Sequence, residues 1–273
     1  MILLHRTVLS SVLVLGAAHF GCSNAPGETD QARESGGSAS GGGPNSSGGA
    51  DTSPGEASWG AVDDPFGGQG RGTPPDPASI TCRVEGDEKT TLTFVNGCAR
   101  NLTFRGSDIN GGDLAPGAFT CVDIGSDVEP LSSKRYWGFL GEDPGGEHHT
   151  LAEFTFNTDF YDFDWYNISH VDAHNLPVQI VPVLRPDCEV LTCAESWLRS
   201  CPTEGLFEDS AGTVVACVSP DRDNPTSPVA EFFEVCDEAY AWSGDDQNGE
   251  DPSPMRACAG EDWDIVFCPE AER

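Results

Sequence analysis

The chain has 273 residues, with 45 acidic against 14 basic side chains and a formal net charge of -31 at pH 7. Such an acidic surface repels nucleic acid and anionic lipid headgroups, so we expect no nucleic-acid partner. It suits a neutral or cationic partner, or solubility alone. The length and the uneven composition favour one folded domain, which we expect to be monomeric.

Residues 1–21 have the features of a secretory signal. They contain no acidic residue, and their apolar core, VLSSVLVLGAA, is too short to span a membrane. Cys22 follows a small residue at the end of this core, as in bacterial lipoprotein signals, so we expect Cys22 to be lipidated and to provide the protein's membrane contact. Ser23 after the cysteine favours the outer membrane of the cell envelope; ordinary secretion with an odd cysteine is the alternative.

A low-complexity segment, residues 23–79, follows the signal. It consists largely of Gly, Ser, Pro and Asp, as in SGGSASGGGPNSSGG, and it has few side chains to bury. This composition is typical of a flexible linker. We therefore place the folded domain at residues 80–271.

The cysteines indicate an oxidising compartment. Of the 11 cysteines, ten lie between Cys82 and Cys268, an even number that five disulfides would use. No CxxC pair occurs, which argues against a thiolate zinc site. Together with the signal, this pattern predicts an extracytoplasmic domain stabilised by disulfides.

Short apolar or alternating runs predict a mainly β domain. Four of them, TTLTFVNG, LAEFTFN, LPVQIVPVL and WDIVFCP, are rich in β-branched and aromatic residues and favour an antiparallel sandwich. Two further stretches, CAESWLRSCP and SPVAEFFEVCDEAYAW, predict helices. In the second, Ser227 is a candidate cap, Pro228 stands in the first turn, and Phe232, Val235 and Tyr240 form a helical apolar stripe.

Three long motifs resemble the thaumatin-like proteins in order and spacing. They are TLAEFTFN (residues 150–157), DWYNISHVDAHNLPVQIVP (164–182) and FFEVCDEAYAWSGDD with RACAGEDWDIVFCP (232–269). The shorter stretches FVNGC and KRYWGF are also similar to strands of that family. The resemblance implies an antiparallel thaumatin-like β-sandwich, a disulfide-stapled module of loops and helices beside it, and an acidic cleft between the two.

The resemblance also implies most of the disulfide pairing. Four pairs follow the family pattern, and the two cysteines that match no family position would form a fifth. The pairs are Cys98 with Cys268, Cys188 with Cys258, Cys193 with Cys236, Cys201 with Cys217, and Cys82 with Cys121.

In the family, an arginine, a glutamate and three aspartates form the acidic cleft. By motif position, the glutamate corresponds to Glu153, and two aspartates correspond to Asp172 and to Asp245, with Asp246 beside it. These acids are candidates for binding or acting on a ligand in the cleft.

Two cleft positions depart from the family. Asn167 stands where the family has its third aspartate, and Gly112 falls at the position of the arginine. Asp164, near Asn167, is a candidate to compensate for the lost acid and joins Asn167 in the predicted substrate-binding set. The departures weaken the argument for catalysis by resemblance.

Some thaumatin-like proteins hydrolyse β-1,3-glucans, a reaction that needs two carboxyl groups flanking the glycosidic bond. Glu153 is the candidate general acid, because its sequence neighbours Leu151, Phe154 and Phe156 are apolar and favour a protonated carboxyl. Asp172 is the candidate base or nucleophile. The alternative is that both acids bind sugar hydroxyls without turnover.

The histidines suggest a metal site. Those downstream of the signal are His148, His149, His170 and His174. On an extended strand, His170, Asp172 and His174 would point the same way, and the strand after His149 would bring Glu153 to them. Such a ligand set suits a divalent transition metal such as zinc or copper, although no cofactor is required by the other motifs. With a metal bound, the acids would be ligands rather than an acid and base pair.

Three functions therefore follow from the sequence. The first is binding of β-glucan or a related wall polysaccharide, with weak endo-β-1,3-glucanase activity as an extension of it. The second is a metal-binding surface protein that uses the histidines and acids of the cleft. The third is a structural or inhibitory envelope protein without enzymatic activity.

Overall fold

A computed structural model describes residues 73–84, 86–126, 128–158, 163–194, 198–248 and 253–269. The predicted signal, Cys22 and residues 23–72 of the predicted linker lie outside the described residues. The strands and the α-helix, in chain order, are β1 (Lys89–Asn96), β2 (Leu102–Gly106), β3 (Gly112–Leu114), β4 (Phe119–Ser126), β5 (Leu131–Phe139), β6 (Leu151–Thr158), β7 (Phe163–Ser169), β8 (Ala173–His174), β9 (Val178–Pro182), β10 (Leu191–Cys193), β11 (Leu206–Glu208), β12 (Val214–Val218), α1 (Pro228–Phe233), β13 (Ala239–Tyr240), β14 (Arg256–Cys258) and β15 (Asp262–Phe267). Short 3-10 turns occur at Pro77–Ser79, Leu198–Ser200, Thr203–Gly205 and Asp245–Asn248.

Two sheets form the body of the domain. One has the strand order β10-β9-β15-β1-β4, and the other has the order β13-β7-β6-β5-β2-β3, with β14 added on β7. A small third sheet, β11-β12-β8, belongs to the loop-rich side. The β1–β15 and β7–β13 pairs are parallel, and the other strand pairs are antiparallel. The prediction of a mainly β, mainly antiparallel fold is confirmed.

Aromatic side chains join the two large sheets. Phe94 of β1 stacks on Phe104 of β2 with ring centroids 4.4 Å apart. Trp263 of β15 meets the rings of Phe154 on β6 and Tyr166 on β7. All five are almost fully buried, and burial of apolar area on this scale is the main favourable term in folding.

Side chains along β6 and β7 alternate between the core and the outer face of the second sheet. Phe154 and Phe156 of β6, and Tyr166 and Ile168 of β7, point into the core. Residues between them must point to the opposite face, because successive side chains of a strand alternate. The outer face of the second sheet therefore carries the odd-numbered residues of both strands.

Both predicted helices are much shorter in the structure. Ser227 does cap α1, since its Oγ accepts a hydrogen bond from the amide of Ala230 at 3.1 Å. The helix nevertheless ends at Phe233. Val235 of the predicted stripe is 64% exposed, and Tyr240 lies in β13.

The stretch CAESWLRSCP is likewise not one helix. Cys193 ends β10, which pairs with β9, and the described part of the remainder contains the 3-10 turn Leu198–Ser200. In the described ranges, no helix is long and apolar enough to cross a membrane.

Five disulfides join the predicted pairs, four that the resemblance implied and Cys82–Cys121 as the fifth. They are Cys82–Cys121, Cys98–Cys268, Cys188–Cys258, Cys193–Cys236 and Cys201–Cys217. Each closes a loop in the unfolded chain and contributes about 2 to 4 kcal/mol to stability.

The segment before β1 is held against the first sheet. Cys82 links it to Cys121 on β4, and the guanidinium of Arg83 lies 3.3 Å from the carboxylate of Asp264 on β15. Both side chains are largely buried, at 11% and 7% exposure. Burial raises the pKa of Asp264, and Arg83 and Thr93 oppose that rise.

Candidate functional site

A cleft of about 310 Å³ lies between the outer face of the second sheet and the loops beside it. Strands β5, β6 and β7 provide one wall, and the segments around β13 and the loop after β12 provide the other. The lining residues are Arg135, Glu153, Asn167, Ser169, Val171, Asp172, Arg222, Tyr240, Ser243, Asp246 and Met255.

Glu153 stands at the centre of the sheet wall. Its β-ladder neighbours are Arg135 on β5 and Asn167 on β7. The guanidinium of Arg135 lies 3.0 Å from Oε1 of Glu153, and the amide of Asn167 donates to Oε2 at 3.0 Å. Asn167, which replaces the family's aspartate, therefore supplies a donor where an acid would have repelled the glutamate.

The environment of Glu153 differs from the one predicted. Phe154 and Phe156 point into the core, whereas Glu153 points to the outer face and meets two polar donors. Glu153 therefore lacks the apolar surroundings on which its predicted general-acid role depended.

Asp172 lies deeper in the same cleft. It is 9% exposed, and its Oδ1 lies 3.1 Å from the guanidinium of Arg222. Its backbone carbonyl accepts a hydrogen bond from Ser219, which ties the loop that carries Arg222 to this position. Burial raises the pKa of Asp172, and Arg222 opposes part of that rise.

Tyr240 and Asp246, the second aspartate of the DD pair, lie in the opposite wall. Tyr240 is 7% exposed, and burial together with the nearby negative charge of Asp246 raises its pKa. Asp246 lines the cleft, but Asp245 does not. Asp245 instead accepts a hydrogen bond from the amide of Ala241 at 2.8 Å, so it holds the loop rather than facing a ligand.

Asp164 does not compensate for the acid lost at Asn167. The two residues are three apart on β7 and point to opposite faces. Asp164 is 2% exposed and accepts hydrogen bonds from the amide of Asn157 at 2.9 Å and from the indole of Trp263 at 3.2 Å. Burial raises its pKa to about 6. Its role is in the core.

The predicted metal ligands are not brought together. His170 and His174 are fully buried and lie against each other, with Nδ1 of His174 3.3 Å from Nε2 of His170. The chain bends at Val171 and Asp172, so these residues do not form one extended strand and Asp172 points to the cleft instead. Within the described ranges, no group of three or more His, Cys, Asp or Glu side chains is placed to hold a metal ion.

The other two histidines also lie away from the cleft lining. Nε2 of His149 lies 3.1 Å from Asp143, and its ring packs between Trp137 and Phe139. His148 stacks on Phe207 with ring centroids 4.2 Å apart. Burial lowers the pKa values of His149, His170 and His174, in the last case to about 3, which indicates neutral core side chains.

The charges of the cleft are nearly balanced. Of its described lining, two residues are cationic, Arg135 and Arg222, and three are anionic, Glu153, Asp172 and Asp246. Both cations are ion-paired with a cleft acid, and Asp246 lies near Tyr240. A chain with a formal charge of -31 therefore presents a local surface of alternating donors and acceptors.

Sequence reasoning missed both arginines. Arg135 lies three positions before the glycine of KRYWGF, and only the register of β5 against β6 brings it beside Glu153. Arg222 lies in an irregular loop, SPDRDNP, which carries no motif. Together they supply the positive charge lost at Gly112, from different elements of the fold.

Comparison with known proteins agrees with this architecture. The protein-family sequence model described as "Thaumatin family" matches residues 142–269 of this chain. Thaumatin-like protein 1 of Pyrus pyrifolia is 30% identical over 230 residues, covering 65% of this chain and 90% of that protein.

Two further relatives match over shorter lengths. Thaumatin-like protein 1b of Malus domestica is 30% identical over 125 residues, 39% of this chain and 57% of that protein. A protein of Prunus avium named glucan endo-1,3-beta-glucosidase is 30% identical over 139 residues, 44% of this chain and 55% of that protein. The matches to these two relatives thus span little more than half of their length. The fold, the pairing of the cysteines and the match to the Pyrus protein together show that the chain belongs to the thaumatin family.

Proposed function

We propose that this thaumatin-family domain binds a neutral polysaccharide of the β-glucan type in the cleft between the second sheet and the loops. The observation that carries the proposal is the paired state of the cleft charges. Arg135 is engaged by Glu153 and Arg222 by Asp172, so the cleft attracts neither a strong anion nor a lone cation.

Sugar hydroxyls both donate and accept hydrogen bonds, so a binding surface for them needs both kinds of partner. Glu153 and Asp172 provide acceptors, and the two arginines keep unused N–H donors because each guanidinium has five. Ser169 and Ser243 add hydroxyl groups to the lining. The cleft has the concave shape and the convergent polar groups of a ligand site.

The same proposal places the domain outside the cytoplasm. Five disulfides are typical of proteins that mature in an oxidising compartment. Attachment to the cell envelope through a lipid on Cys22 is part of the proposal, and Cys22 lies outside the described residues.

A second candidate function is weak hydrolysis of β-1,3-glucan. Two observations favour it: Glu153 and Asp172 line one cleft, and a relative carries the name glucan endo-1,3-beta-glucosidase. The contacts favour roles opposite to those predicted from the sequence. Asp172 would be the general acid, because burial raises its pKa, which leaves Glu153 as the candidate base or nucleophile.

Binding and hydrolysis are tested on laminarin, a soluble β-1,3-glucan, with the purified chain. We expect the wild type to bind, and Glu153→Gln and Asp172→Asn each to weaken binding about tenfold, since each removes a charged acceptor. Asp237→Asn, at an exposed position outside the cleft lining, is the matched control and should bind as the wild type does. Thermal unfolding of each variant checks that the fold is retained.

The result decides between binding and turnover. Release of reducing ends that disappears in both Glu153→Gln and Asp172→Asn supports hydrolysis in the cleft. Binding without release of reducing ends leaves binding as the function and removes the second candidate. A folded wild type that does not bind laminarin contradicts the proposal of a β-glucan site.

A further inference from the structure

We propose that Trp165 forms a separate sugar subsite on the sheet surface next to the cleft, where the indole stacks on one ring of a longer glucan chain. The inference rests on the proposed function, because it extends the same binding surface by one position. Trp165 lies outside the cleft lining. Its contact with an additional sugar ring makes the affinity depend on the length of the glucan.

The strand places Trp165 in line with the cleft. Trp165, Asn167 and Ser169 are alternate residues of β7, so their side chains share the outer face of the second sheet. Asn167 and Ser169 line the cleft. Because a strand rises about 3.4 Å per residue, Trp165 stands about 7 Å from Asn167 along the same row.

The strand register shows that the indole has small neighbours. On one side Trp165 pairs with Thr155 of β6, and on the other with Ala257 of β14. Neither side chain is large enough to cover an indole, and Trp165 remains 37% exposed. Two residues along the chain from Thr155, Trp165 and Ala257 are Glu153, Asn167 and Met255, and these three line the cleft.

The exposed aromatic side chains of the described residues are concentrated on β7. Among the described residues, the aromatic side chains that are large and exposed are Phe163 and Trp165, at 39% and 37%. They stand two positions apart on β7, and the other aromatic residues of the described sheets are buried or half-buried. An exposed aromatic cluster that continues directly from a polar cleft is typical of a binding surface rather than of random surface composition.

The chemistry fits a neutral sugar ring. A pyranose has one face made largely of C–H groups, and an aromatic ring offers a flat apolar surface with a negative π face to it. The hydroxyl groups at the rim of the sugar stay in water or reach the donors of the cleft. An occupant of this kind needs no charge, in agreement with the balanced cleft beside it.

The test compares a short and a long ligand by isothermal titration calorimetry, using laminaribiose and laminarihexaose as probes. We expect Trp165→Ala to weaken hexasaccharide binding about tenfold and to leave disaccharide binding within about twofold of the wild type. Trp165→Phe keeps an aromatic face and should lose about threefold or less. Val235→Ala removes an exposed apolar side chain that lies outside the cleft lining, and it should change neither affinity.

A spectroscopic measurement accompanies the titration. Hexasaccharide binding should change the indole fluorescence of the wild type, and that change should be lost in Trp165→Phe. If the wild type binds the hexasaccharide and Trp165→Ala binds it equally well, the subsite is refuted while the cleft proposal stands. An equal loss for both ligands also refutes a separate subsite. If the wild type binds neither ligand, the proposed function fails and this inference fails with it.

Discussion

Asp164 should make the folded state less stable as the pH rises from about 4 to 6. Its carboxyl is 2% exposed, and burial raises its pKa to about 6 from the ordinary 3.8. Below pH 3.8 the carboxyl is protonated in both folded and unfolded chains. Between the two pKa values the unfolded chain ionises first, so ionisation favours unfolding; above about pH 6 both states are ionised and the effect is constant.

The expected size follows from the pKa difference. One pKa unit is worth about 1.4 kcal/mol, so a pKa of about 6 against 3.8 costs about 3 kcal/mol of folding stability at neutral pH. The pKa of about 6 already includes the hydrogen bonds from Asn157 and Trp263 to the carboxyl, which oppose the rise that burial causes.

The measurement is urea unfolding of the wild type and Asp164→Asn at a series of pH values between 3.5 and 7.5, a window chosen to span both pKa values. All other groups titrate equally in the two proteins, so their difference in unfolding free energy isolates Asp164. We expect the difference to shift by about 3 kcal/mol in favour of the variant as the pH rises. A difference for Asp164→Asn that varies by less than about 1 kcal/mol would refute the argument.

Three further predictions concern stability. Arg83→Met leaves the buried carboxylate of Asp264 without its cation and should destabilise the fold by about 3 to 5 kcal/mol in urea unfolding; Asp264→Asn in the same chain should restore part of the loss, and no restoration would count against the pairing. Burial lowers the pKa of His174 to about 3, so the free energy of unfolding should fall as the pH drops below about 6.5. His174→Gln should lose less stability over that pH range in urea unfolding, and the same pH dependence in variant and wild type would contradict the prediction. Leu184 has a φ of +55° and is 69% exposed, so Leu184→Gly should raise stability by up to about 1 kcal/mol, and a lower melting temperature would show that no strain was relieved.

The strands were predictable because the sequence pattern that indicates a strand lies within the strand itself. TTLTFVNG became β1 and WDIVFCP became β15 almost without change of bounds, since alternation and β-branched residues report a half-buried strand directly. The helices were not, because distant partners determine where those stretches end. Cys193 is held in β10 by β9 and by its bond to Cys236, and Ala239 is held in β13 by β7; such tertiary contacts override local propensity.

The candidate site was predictable only in part. Motif positions pointed to Glu153 and Asp172, and the structure places both in one cleft. The basic partners of these two acids, Arg135 and Arg222, come from a strand register and an irregular loop, which spacing along the chain does not encode. The histidine hypothesis failed for a related reason, since it assumed an extended strand where the chain bends.

The segment of Cys82 and Arg83 also determines how the domain can be presented. It contacts the outer face of the first sheet, through Cys121 and Asp264, whereas the cleft opens on the outer face of the second sheet. The chain thus enters the sandwich on the side away from the ligand surface. A bead or fusion partner attached directly to this segment would therefore lie on the face opposite the cleft and leave the cleft accessible to an insoluble glycan.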